Sequence, residues 1–314
     1  MEQSPVKSHP LRGLPTLLKR GHCAPAVMET IVKARGQDPI GLVKLVGGMP
    51  GGIGNTGNEC GGIASPLVLL GLDSGPDDTR DGLPLAIVRG RNLMRRFAER
   101  HDTLLCREIR SPKARLFPCI KAILDAPGIH AEAAADALPD SGSEEQREAQ
   151  RLLIRGFGAR GFHCSRAVLD GLPAIAASFP ELRKGMATFL GGTACAGLTC
   201  SALVSGIMVL GRRLTEIENS VPRVLRMIVL FKTGGDAFAD KINAFNATMN
   251  LGHRLADWFA GEFGSLQCRE ITGTDFSSLD GVRRFLDQRI AVCEGIPGKV
   301  ASRVEQILGA VQPV

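Results

Sequence analysis

The sequence predicts an all-α protein made of two homologous helical units in tandem. Three observations predict it. Apolar residues recur at i, i+3 and i+4 over long stretches. Clear alternating strands are absent. The second half also repeats short stretches of the first in the same order. The 314 residues suffice for two modest domains. The apolar content of 44% and charged content of 22% are those of an ordinary folded soluble chain.

Taken in order, Pro25 favours a first helical turn, so Cys23 stands at or just before a helix start. "LVKLV", Leu42 to Val46, could pass as a strand. The next stretch, "GGMPGGIGNTGNECGGIAS", holds eight glycines between Gly47 and Gly62 and cannot stay helical for long. Within it Gly52, Gly54 and Gly57 spell G-x-G-x-x-G, the spacing of a dinucleotide turn. That turn needs a strand before it and a long helix directly after it. Pro66 leaves at most about eight residues of uninterrupted helix after Gly57. The second half also places Ala194 where the first has Gly54. The loop is therefore read as a holder for Cys60, not for a pyrophosphate.

Leu93, Met94, Phe97, Ala98, His101, Leu104 and Leu105 form a helical stripe ahead of Cys106. An acidic stretch with Pro, Ser and Gly at about 137–145 reads as a linker between units at 12–135 and 150–314. In the second unit "SALVSGIMVL" can continue as helix after Cys200. Leu255, Ala256, Phe259, Ala260, Phe263 and Leu266 form the matching stripe. Gly264 is a stop and Ser265 an N-cap, which makes Cys268 the third residue of the next helix; Thr103 and Cys106 repeat the relation. The last stretch puts Val300, Val304, Ile307, Leu308 and Val311 on one face.

The repeat is written in the cysteines. "HCAPAVM" at 22–28 matches "HCSRAVL" at 163–169, and "FAERHDTLLCREI" at 97–109 matches "FAGEFGSLQCREI" at 259–271. Between these pairs, Cys60 falls on Cys200 within glycine-rich segments. Cys119 and Cys293 follow more loosely, and Cys195 is the odd ninth. Three of the four positions in each half lie near helix starts, whose free N–H groups favour thiolate and lower a thiol pKa.

Four thiolates can bind a soft metal centre, an iron–sulfur cluster or zinc. Zinc is the weaker fit, because its ligands usually pair in close knuckles and the only close pair is Cys195-x4-Cys200. Metal-free cycling between dithiol and disulfide is the alternative. A third reading is a structural or interaction module with cysteines as core filler. His22 and His163, each preceding a cysteine, read as helix-entrance residues before ligands or proton partners. Arg107-Glu108 and Arg269-Glu270 read as surface pairs. Neither a Ser-His-Asp grouping nor an H-E-x-x-H motif stands out, so whether the chain is an enzyme stays open.

The remaining features narrow the partners. Net charge is +6, and the densest basic stretch, 89–115, has nine Lys/Arg against three acids but a single aromatic, Phe97, and so no interleaved series of them. It reads as a solvated helix face, and no nucleic acid is expected. Residues 186–211 carry no charge and are long enough to span a bilayer. The matching stretch of the first half contains Pro50, Asn55, Asn58, Glu59 and Pro66, which argues for a buried helix and against a membrane span. Residues 1–22 lack an apolar signal core, and nine cysteines without one point to reduced thiols in the cytoplasm.

Together these motifs resemble the C_GCAxxG_C_C family of redox-active proteins, named for its cysteine pattern. The first family cysteine matches Cys23 and Cys164, and the second matches Cys60 in "GNECGGIAS" and Cys200 in "GLTCSALVS". The third matches Cys268 in "FGSLQCREI" and, less well, Cys106; the fourth matches Cys293 and, most weakly, Cys119. Ser65 and Ser205 replace the final glycine of the family pattern, and Ser201 replaces a glycine after the second cysteine. The resemblance implies a redox role through an iron–sulfur centre, with an unidentified redox partner. The implied ligands are Cys164, Cys200, Cys268 and Cys293, with Cys23, Cys60, Cys106 and Cys119 as a degenerate sister set.

Overall fold

A computed structural model describes residues 13–75, 78–110, 116–136, 142–215 and 247–311, together with Leu225 and Val229. Most of the expected linker, 137–141, lies outside the described residues, as do residues 1–12 of the leader stretch and 111–115 of the basic stretch. Among the described residues the protein is helical, with one two-stranded hairpin. No helix among them is long and apolar enough to cross a membrane.

Contacts divide the chain into two compact units, each assembled from three stretches. Unit 1 comprises Met1–Leu67, Leu93–Asp136 and Leu210–His253. Unit 2 comprises Val68–Asn92, Ala137–Val209 and Arg254–Val314.

The first helices are α1 (Gly13–Arg20), α2 (Cys23–Ala34) and α3 (Ile40–Leu45). The strand considered for 42–46 is thus helical, ending at Leu45. Helix α1 packs on α2, and their joint is a buried ion cluster: the Glu29 carboxylate meets Arg20, Lys19 at 3.4 Å and Lys33 at 2.7 Å.

Helix α4 (Gly61–Ser74) runs straight through Pro66, correcting the expected break. Proline removes one N–H and crowds the carbonyl four residues back. Burial offsets this cost: Ile63, Ala64, Leu67, Val68, Leu69 and Leu70 are each at most 1% exposed. Strands β1 (Thr79–Arg80) and β2 (Leu83–Pro84) follow, joined through Asp81 and Gly82 at φ 49° and 77°. Asp-Gly with both φ positive is the tight hairpin turn.

Helices α5 (Leu85–His101), α6 (Cys106–Arg110) and α7 (Leu116–Ala135) complete the first repeat. A capping box of Ser143 and Gln146 then opens α8 (Glu144–Ala159). Short helices α9 (Arg166–Asp170), α10 (Pro173–Ser178) and α11 (Glu181–Gly185) lead to α12 (Ser201–Leu214). The chain ends in α13 (Ala247–Phe263), α14 (Cys268–Thr272), α15 (Leu279–Gln288) and α16 (Ile290–Ala310). In unit 2, α15 packs on α8 and α9 on α16. Val300 and Val304 are fully buried on α16, as their spacing predicts.

Candidate functional site: a four-cysteine set in each unit

The glycine-rich loop before the second cysteine coils left-handed in both units. Gly51 through Asn55 hold φ between 48° and 86°, and Gly191 through Cys195 hold φ between 49° and 68°. The hydrogen bonds recur at the same offset. Gly54 N–H reaches Gly48 O at 2.9 Å as Ala194 N–H reaches Thr188 O at 2.7 Å. Gly57 N–H reaches Gly51 O at 2.9 Å as Gly197 N–H reaches Gly191 O at 3.0 Å. Ile53 and Thr193, both β-branched, sit inside this coil at φ 48° and 49°. Such residues enter that region only when their surroundings force them. The glycines are thus spent on shaping a cysteine loop, as the sequence suggests.

The coil delivers the second cysteine against the third. Cys60 N–H donates to Leu104 O at 2.8 Å, and Cys106 N–H donates to Asn58 O at 2.7 Å. In unit 2, Cys200 N–H donates to Leu266 O at 2.8 Å, and Cys268 N–H to Leu198 O at 2.7 Å. Each pair forms an antiparallel bridge that fixes two cysteines distant in sequence. The first cysteine of unit 1 arrives from α2: a Cβ at Gly61 would stand 2.5 Å from Cys23 Sγ. Gly61 therefore leaves room for that sulfur. In unit 2, Cys164, Cys195, Cys268 and Cys293 belong to one apolar cluster with Phe157, Leu190 and Phe285.

The starts of helices recur at these sulfurs. Cys23, Cys106 and Cys268 open α2, α6 and α14, and Cys60 and Cys200 immediately precede α4 and α12. Cys268 is the first residue of its helix and not the third, because Ser265 caps Gln267 N–H in a turn one step earlier. Gly62 N–H points at Cys60 Sγ at 3.4 Å.

These N–H groups do not make the thiols acidic, contrary to the expectation from helix starts. Burial pushes Cys164 to about 12 and Cys200 to about 11, with backbone N–H groups pulling weakly the other way. Burial likewise raises Cys23, Cys60, Cys106, Cys119, Cys268 and Cys293. For Cys60, Cys106, Cys119, Cys268 and Cys293 the next cause is a neighbouring sulfur. Cys60 is raised by Cys106, Cys23 and Cys119, and Cys268 by Cys200, Cys293, Cys164 and Cys195. Four sulfurs from four chain segments are thus electrostatic neighbours in each unit, and Cys195 joins the second set. All nine cysteines are free thiols.

Sequence reasoning missed Arg110. Its charge opposes the rise at Cys23, Cys106 and Cys119, and it stands one helical turn after Cys106. That spacing was the available signal. Arg107 is no surface ion pair with its neighbour: it donates to Asn58 Oδ1 at 2.7 Å and Gly57 O at 3.2 Å, tying α6 to the coil. Glu108 instead accepts from Thr103 Oγ1, as Glu270 does from Ser265 Oγ. Burial, then Arg166, holds His163 at about 3, so it is neutral at physiological pH and no proton partner there.

The donor chemistry of each set, four thiols and no oxygen ligand, suits a soft metal centre. Its present arrangement is looser: among the described residues no group of three or more His, Cys, Asp or Glu is placed to hold a metal ion. The family model described as "Putative redox-active protein (C_GCAxxG_C_C)" matches residues 21–133 and 162–307, one segment for each repeat. No curated protein and no solved structure matches the chain.

Proposed function

The chain belongs to the C_GCAxxG_C_C family of redox-active proteins, and we propose that each four-cysteine set is its redox centre, holding an iron–sulfur cluster. Cys164, Cys200, Cys268 and Cys293 would hold it in unit 2, and Cys23, Cys60, Cys106 and Cys119 in unit 1. Such a cluster supplies electron transfer when bound. The single observation that supports this reading is the backbone bridge that holds the second cysteine against the third in each unit, through Cys60 N–H to Leu104 O and Cys106 N–H to Asn58 O and the matching bonds of Cys200 and Cys268. A cation must displace the protons of these raised thiols, so loading is expected to strengthen as pH rises. The N–H groups aimed at Cys60, Cys164 and Cys200 would offset thiolate charge. The apolar cluster around Cys164, Cys268 and Cys293 excludes water and would set the potential.

A second reading, dithiol–disulfide cycling without metal, is favoured by the absence of a formed ligand group among the described residues. Protonation slows it, since no cation is present to draw the thiolate out. With a pKa of about 12 for Cys164, only about one thiol in 10⁵ is thiolate at pH 7, and the thiolate is the attacking species.

One experiment separates them. Purify the protein anaerobically, reconstitute it with iron and sulfide, and record its visible spectrum and metal content. The iron–sulfur reading expects a coloured protein whose iron falls on Cys200→Ser and Cys268→Ser. A colourless, iron-free product that forms one recurrent disulfide under mild oxidation supports the second reading. A colourless product with no recurrent disulfide sinks both.

A further inference from the structure

Cys195 belongs to neither ligand set, yet unit 2 buries it among the thiols of one. It is 1% exposed and shares an apolar cluster with Cys164, Cys268 and Cys293.

The repeat gives its counterpart. Cys195 stands five residues before Cys200, as Asn55 stands five before Cys60. The backbone treats the two alike. Cys195 N–H donates to Leu190 O at 2.7 Å, and Asn55 N–H donates to Pro50 O at 3.2 Å. Both residues are left-handed, at φ 59° and 58°. Asparagine enters that region readily, and cysteine has no such preference. Backbone conformation therefore accounts for Asn55 but not for Cys195, and the thiol is explained by what its sulfur meets.

What it meets is the first cysteine of the unit. Gly191 N–H bonds the Cys164 sulfur, and a Cβ on Gly191 would lie 3.5 Å from Cys195 Sγ. Unit 1 repeats this: Gly51 N–H bonds the Cys23 sulfur, and Asn55 Oδ1 lies against Gly51. In unit 2 the two sulfurs thus flank one glycine, which has no side chain to part them. After burial and Cys200, Cys195 adds to the rise of the Cys164 thiol. Cys268 approaches the next glycine instead, since a Cβ on Gly192 would lie 2.5 Å from Cys268 Cβ.

A small oxidant has a way in. A cavity of about 320 Å³ in unit 2 is lined by His163, next to Cys164, and by Leu190, whose carbonyl holds Cys195. Asp170 and Arg183 also line it, and their side chains are 59% and 49% exposed, so it reaches the surface. Water occupies about 30 Å³ in the liquid, so a molecule as small as hydrogen peroxide fits easily.

We propose that Cys195 and Cys164 form a disulfide in the metal-free protein when a peroxide reaches them. Cys195 Sγ gives up its proton and attacks one peroxide oxygen. The O–O bond breaks, an S–O bond forms and one water leaves. Cys164 Sγ then attacks Cys195 Sγ; the S–O bond breaks, and the hydroxyl leaves with the Cys164 proton as a second water. Two thiols are oxidised and one peroxide is reduced to two waters. Burial keeps Cys164 protonated, so the reaction is slow and its end point is the quantity to read. The bond withdraws Cys164 from the ligand set of unit 2. Unit 1 has no counterpart, because Asn55 stands where the thiol would be. The inference goes beyond both readings above and holds whether or not the thiols also bind iron.

Peptide mapping tests it. The full chain, stripped of metal by a chelator under reductant, is treated with hydrogen peroxide, denatured, alkylated and analysed by mass spectrometry. The thiol titre should fall by two from nine. The bond should join Cys164 to Cys195, with Cys23, Cys60, Cys106 and Cys119 still alkylated. Cys195→Asn, which introduces the residue type that unit 1 carries there, should lose no thiols to the same treatment. An unchanged titre in the unsubstituted chain overturns the inference. A bond from Cys195 to any other cysteine overturns it too, as does a loss of two thiols that survives Cys195→Asn. Should Cys195→Asn fail to fold, fragmentation of the bridged peptides from the unsubstituted chain still decides, because it separates Cys195 from Cys200 within their shared tryptic peptide, 185–212.

Discussion

A buried cysteine beside a helix start is pulled two ways, and here the larger pull is burial. Free N–H groups lower a thiol pKa, as at Cys60 and Cys200. Removal from water raises it more, and neighbouring sulfurs add to the rise. A sequence shows the helix start but not the depth, so position was legible and protonation was not. The consequence is an alkaline limit on the reduced, metal-free protein. Cys164 and Cys200 ionise near the ordinary 9.0 in the unfolded chain but at about 12 and 11 in the folded one. Their contribution to stability is full below about pH 9 and is lost as pH rises toward the folded values, because the folded state then binds more protons. Urea unfolding at pH 8 and pH 10.5 checks this. The drop between the two should be smaller for Cys164→Ala/Cys200→Ala than for the parent. An equal drop would remove the thiols as its cause.

Among the elements, those read from long apolar periodicity stand where expected. The stripe on α5 buries Leu93, Met94 and Phe97, and that on α13 buries Leu255, Ala256 and Phe259. Short elements were less legible. Leu42–Val46 has no period long enough to separate strand from helix, and the helix was decided by packing of α3 on α2. Proline at position 66 suggested a break, but complete burial on either side outweighed it. The ion cluster pinning α1 to α2 left no local signal, because Arg20 and Glu29 are nine residues apart on different helices. Burial alone would raise the Glu29 carboxyl, yet hydrogen bonds from Lys33 and Arg20, with the charge of Lys19, hold it below its usual value. Its stabilising effect is therefore full above about pH 4.5 and falls away as pH drops through the lower folded value. Glu29→Gln strands Arg20 in a buried site and should cost about 3 kcal/mol at pH 7. The cost should shrink toward pH 3, where the parent carboxyl also protonates. A cost that stays constant across that range would mean that Glu29 acts through packing and not through charge.

For the whole molecule, the repeat in the sequence and the compactness of the chain answer different questions. Local likeness marks where a duplicated segment begins and ends, but it is silent on where each helix buries its apolar face. Unit 2 takes Val68–Asn92 from the first repeat. Within that unit Ile87 lies in the apolar cluster with Phe157 and Phe285. Leu83 and Ala86 are each 1% exposed, and Arg151 Nε donates to Asp81 O at 2.7 Å. A fully buried Leu or Ile contributes about 1.5–3 kcal/mol, and a whole domain is stable by only about 5–15 kcal/mol. Residues 150–314 made alone would keep every sulfur of the second set yet lack several such side chains. That fragment should therefore unfold at markedly lower urea than the full chain, or without cooperativity. Joining residues 68–92 to it through a flexible linker should raise the midpoint. Near-ultraviolet circular dichroism and urea titration of the three proteins read the result directly. If the bare fragment unfolds cooperatively at the midpoint of the full chain, then Val68–Asn92 is dispensable to unit 2, and its apolar contacts there contribute far less than their burial implies.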